Sequence, residues 1–78
     1  MKPPQSVLLA ADGYLSEISY IKYLGVYENM PAWTIEYTEP VTIGYPVVFL
    51  EDGDQLKIVR GEESLKIYAY FCDAEEDD

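Results

Sequence analysis

Histidine is absent from the 78 residues, and cysteine occurs once, at Cys72. The first absence removes the usual general base and the commonest metal ligand, so Ser-His and Cys-His nucleophiles are excluded. The second rules out an intramolecular disulfide and any CxxC pair. Basic residues are also scarce: five Lys and Arg stand against fifteen Asp and Glu, for a net charge of -10. A chain of that sign does not bind nucleic acid directly by neutralising phosphates, and anionic membrane surfaces repel it. No apolar run approaches the roughly 18 residues of a membrane span, and no charged, apolar leader opens the chain. A cytoplasmic protein is the expectation.

Hydrophobic residues make up 49% of the sequence, which is globular rather than disordered composition, and eight tyrosines dominate the aromatics. A domain this small buries only about 60% of its unfolded surface, so its core has to be economical. Five of the fifteen acids fall in the closing "DAEEDD". The expected organisation is one domain over residues 1–72 and a solvated acidic tail over 73–78.

Along the chain, two prolines in "MKPPQ" argue against early helix, and the short apolar run "SVLLAA", Ser6 to Ala11, fits a strand buried on both faces. "YLSEISYIKYLG" spaces Leu15, Ile18 and Ile21 helically, with Asp12 or Ser16 as N-cap and Gly25 as stop. After a turn at "NMP", "AWTIEYTE" alternates Trp33, Ile35 and Tyr37 against Thr34, Glu36 and Thr38, which reads as a strand with one wetter face, ended by Pro40. "PVVFL", the turn "EDGD" and "QLKIVR" form the clearest hairpin, because an Asp-Gly pair reaches positive φ cheaply. Lys57 and Arg60 would protect its edge.

In "GEESLKIYAYFC" helical and strand periods coexist; Gly61 and the acids of "EES" favour a helix. Were this segment a strand, a small all-β barrel would result. The expected order of strand, helix, strand, hairpin and helix makes an α/β fold. Strands one and two would form a parallel βαβ unit within a four-stranded mixed sheet carrying two helices.

That order, with "GYPVVFLEDGDQLKIVRGEESL", resembles the thioredoxin-like fold and its small glutaredoxin branch. The resemblance implies a cis bond before Pro46 and a binding edge near the first strand–helix junction. The junction itself, "AADGYLSE", holds no cysteine, and thiol–disulfide exchange needs a thiolate there. Glutathione binding would place Val47, Gly61 and Ser64 around the tripeptide, yet Glu62 and Glu63 oppose its carboxylate at the helix start. No cofactor is implied.

Cys72, followed by Asp73, Glu75 and Glu76, reads as a small core hydrophobe with a raised thiol pKa. "EDGD" lacks the remaining ligands of a calcium loop and reads as a solvated turn. The expected function is a redox-inactive protein-binding module for a basic partner. Small acidic viral or mobile-element inhibitors that imitate phosphate charge are its more specific form. Candidate binding residues are Asp12, Tyr14, Tyr45, Pro46, Val47, Glu62 and Glu63, with no catalytic or metal-ligating residue; Tyr14 and Tyr45 are the expected aromatic anchors. The enzymatic alternative is a divergent redoxin keeping thiol or glutathione chemistry through Cys72.

Overall fold

A computed structural model describes residues 2–39 and 44–76. Two helices enclose a four-stranded sheet: α1 (Gln5–Ala11), β1 (Ser19–Tyr27), β2 (Met30–Tyr37), β3 (Val48–Asp52), β4 (Gln55–Val59) and α2 (Glu62–Glu76). The strands lie in the order β1-β2-β3-β4 and every neighbouring pair is antiparallel. The strand count and the two helices agree with expectation. The mixed sheet does not: the parallel βαβ unit is absent, because its two opening elements exchange identities.

"SVLLAA" is helical rather than extended. Leu and Ala are strong helix formers, and prolines outside the first turn leave a helix intact: Pro4 is the N-cap, and its carbonyl accepts the Leu8 N–H at 3.0 Å. Val7 and Ala11, four residues apart, turn inward, whereas Leu9 is 70% exposed, which a doubly buried strand would forbid. A 3₁₀ turn over Asp12–Tyr14 follows.

Conversely, "SYIKYLGVY" is strand β1. Its β-branched and aromatic residues suit a pleated surface, and Gly25 marks a bulge in the pairing with β2 rather than a helix end. Glu28 and Asn29, at φ 50° and 67°, make the two-residue turn into β2. Pro31 lacks an N–H donor, yet β3 pairs only with Ala32, Trp33 and Thr34, so the missing donor interrupts no ladder on that side.

The β3–β4 hairpin closes as expected, with Asp52 paired to Gln55 and Gly53 at φ 62°. Described peptide bonds are all trans, including Tyr45-Pro46, where the resemblance implied cis. The last segment is helical, and α2 continues through "AEE" to Glu76. Its buried positions are Ser64, Ile67 and Phe71, one register away from Leu65, Tyr68, Ala69 and Cys72, the apolar stripe that the i, i+3, i+4, i+7 spacing of the sequence predicts for a helix here. The strand stop expected at Pro40 and the end of the acidic tail at Asp77 and Asp78 lie outside the described residues.

Alternation along the strands feeds two cores. Trp33, Ile35 and Phe49 meet Val7 and Ala11 of α1, while Ala32, Val48 and Leu50 meet Ile67 and Phe71 of α2. With both faces covered, β2 has no wet side at its centre: Thr34 is fully buried and donates its hydroxyl to the Val47 carbonyl at 2.7 Å. Every buried side-chain polar atom among the described residues has a hydrogen-bond partner, as a small core with little energy to spare requires.

Candidate functional site

Where β2 ends, the returning chain at Gly44 and Pro46 approaches the first turns of α2. Between them opens a cleft of about 250 Å³ lined by Ile35, Glu36, Tyr37, Gly44, Pro46, Leu65 and Tyr68. Two elements of different period create it. The strand puts Glu36 on the α2 side of the sheet, and the helix puts Leu65 and Tyr68, three residues apart, over it. The Tyr68 hydroxyl donates to Glu36 Oε2 at 2.6 Å, tying helix to strand across the cleft. This charge-assisted bond fixes one carboxylate oxygen.

The surroundings are apolar and open. Leu65 is 47% exposed, and Tyr45, between the two lining residues Gly44 and Pro46, is 54% exposed. Glu62 and Glu63 are exposed in the first turn of α2, and Glu62 lies one turn ahead of Leu65 on the same helical stripe.

The sequence-derived candidates therefore divide. Pro46 lines this cleft, Tyr45 is its exposed neighbour in the chain, and Glu62 precedes the lining residue Leu65 by three positions on α2. Val47 turns into the α1-side core, and its carbonyl serves Thr34. Tyr14 packs edge-on against Phe49, 6.0 Å between ring centroids, with the Arg60 guanidinium 5.6 Å from its ring centre. It is part of the α1-side core, half-buried, while Asp12 in the adjoining turn is exposed. The edge that was expected to join Tyr14 and Tyr45 depended on the parallel unit, and that unit does not form.

Glu36, Leu65 and Tyr68 were not among the binding residues that the sequence suggested. Only the alternation of β2 and the helical stripe of α2 hinted at their directions, and no local pattern joins residues 32 apart. Cys72 is a half-buried thiol beside Phe71 on α2. Among the described residues no group of three or more His, Cys, Asp or Glu side chains is placed to hold a metal ion. No described helix is long and apolar enough to cross a membrane.

Comparison with protein families, with curated proteins and with solved structures finds no match for this chain.

Proposed function

We propose that this chain is a cytoplasmic, acidic protein-binding module whose partner carries a basic surface, and that it acts by docking rather than by catalysis. The observation that carries the reading is the pairing of an open apolar cleft and exposed Tyr45 and Leu65 with a net charge of -10. Aromatic and aliphatic anchors supply contact area at the centre of an interface. Surrounding acids select a basic partner and speed its approach.

Proteins that hold nucleic acid present such basic surfaces, and an acidic module seated on one would block it, the charge-mimic form of the same function. Thioredoxin-like ancestry and thiol chemistry play no part in this reading.

Affinity capture from the source cell's lysate tests it. The wild-type chain should retain a basic protein that elutes as ionic strength rises from about 0.05 to about 0.5 M, where screening shortens to a few ångströms. Tyr45→Ala and Leu65→Asp should retain markedly less. Recovery that ignores both salt and these substitutions would sink the proposal.

A further inference from the structure

The size and wall chemistry of the cleft go further than a generic docking surface. Sites for drug-sized ligands run from about 300 to 1,000 Å³, and 250 Å³ falls below that range. The space suits one side chain. Ile35 and Tyr37 send their side chains to the α1-side core, so the walls on the α2 side are Pro46, Leu65 and the Tyr68 ring, and the charged group among the described lining residues is Glu36.

Glu36 is half-buried and has the Tyr68 hydroxyl on Oε2. Among the described residues no Lys or Arg lies within ion-pair distance of it: the ion pair found there is Lys57 with the exposed Asp52, at 3.5 Å. A carboxylate held against apolar walls with one neutral donor is incompletely compensated, and an occupant without charge would strip water from it and return nothing.

We infer that the cleft receives an arginine side chain of the basic partner. The inference rests on the protein-binding reading above and names the group that this site recognises. Three methylenes lie along Pro46 and Leu65 in the way long cationic side chains cover apolar surface. The guanidinium donates to Glu36 and stacks on a tyrosine ring. Arginine fits better than lysine because its planar cation is more weakly hydrated and can stack while it donates. Glu62 and Glu63, exposed at the start of α2, add attraction for neighbouring basic residues without entering the cleft.

The test is a titration of the ¹⁵N-labelled full chain with acetyl-Gly-Gly-Arg-Gly-Gly-amide and with the same peptide carrying citrulline or leucine at the centre. Citrulline keeps the shape and loses the charge. The arginine peptide should shift the amides of Gly44, Leu65 and Tyr68 saturably and bind about tenfold or more tightly than the citrulline peptide, the ratio expected for one charged hydrogen bond.

Glu36→Gln should abolish that ratio. Asp52→Asn, which removes a carboxylate outside the cleft, should preserve it, separating recognition at Glu36 from the loss of one negative charge. Unmoved cleft amides, or citrulline or leucine binding as tightly as arginine, would overturn the inference. If Glu36→Gln still captures the same basic protein with unchanged salt sensitivity, arginine recognition fails while the docking function stands. If the arginine peptide binds and the wild-type chain captures no basic protein, the docking function is the one that fails.

Discussion

On one face of the sheet a seven-residue helix covers Trp33, Ile35 and Phe49; on the other a fifteen-residue helix covers Ala32, Val48 and Leu50. The bulk comes from opposite directions. Beneath α1 the sheet supplies the large rings, with Trp33 and Tyr23 centred 4.8 Å apart, and the helix contributes only Val7 and Ala11 to the buried set. Beneath α2 the sheet is hollowed by Ala32 and Gly25, and the helix fills it with Ile67 and Phe71. A short helix of small residues suffices where the strands carry aromatics; a long one with large residues is needed where they do not. The functional consequence lies at α2, whose first turns overhang the sheet far enough to roof a cleft.

The largest effect should come from removing the sheet's own bulk. Trp33→Ala deletes a buried ring and the indole N–H that donates to Glu51 Oε2 at 2.7 Å. A loss of about 3–5 kcal/mol in urea-denaturation stability is expected. A loss below about 1 kcal/mol would mean that α1, not the strands, holds that face together.

A smaller effect tests the hollow on the other face. At Gly25 the backbone has φ 138°, and a Cβ would stand 2.8 Å from the Phe71 ring. Gly25→Ala should therefore destabilise by more than about 1 kcal/mol. Part of that cost, about 0.5 kcal/mol or more, should vanish in a Phe71→Leu background if the ring is the obstacle. Strict additivity in the double-mutant cycle would assign the whole penalty to the backbone.

The smallest effect belongs to the surface. Lys57 and Asp52 are both about half exposed at 3.5 Å, so Lys57→Met should change stability by no more than about 1 kcal/mol. A larger change by thermal or urea unfolding would show that the hairpin edge, rather than the two cores, limits stability.

Legibility followed the locality of the cause. The β3–β4 hairpin was readable because Gly53 sits at the one place where positive φ is required, between two β-rich segments. The final helix was readable from Gly61 and the acids after it, although which side it buries was not: Ser64, Ile67 and Phe71 face the sheet in place of Leu65, Tyr68, Ala69 and Cys72. Both stripes contain apolar residues at helical spacing, and only the aromatic-poor hollow at Gly25 and Ala32 selects the one carrying Phe71.

The first twenty-seven residues misled for a related reason. A run of five apolar residues, Val7 to Ala11, has no period to betray its state, and "SYIKYLGVY" carries apolar side chains on both faces because its strand lies in a doubly covered sheet. Of the site, Tyr45, Pro46 and Glu62 were visible as exposed aromatic, turn and acidic signals, whereas Glu36 and Tyr68 meet only through the packing of α2 on β2.

By itself, then, the sequence determined what depends on near neighbours and on totals: an acidic chain without histidine chemistry, a central alternating strand, an Asp-Gly hairpin and a terminal helix that opens on acids after Gly61. Tertiary structure alone decided that "SVLLAA" coils and "SYIKYLGVY" extends, that all the strands run antiparallel, and that a carboxylate from β2 and a tyrosine from α2 close one cleft. The physical reason is that short apolar segments satisfy either backbone state almost equally. What tips them is the surface offered by residues far away in sequence, here a sheet with rings on one face and a hollow on the other.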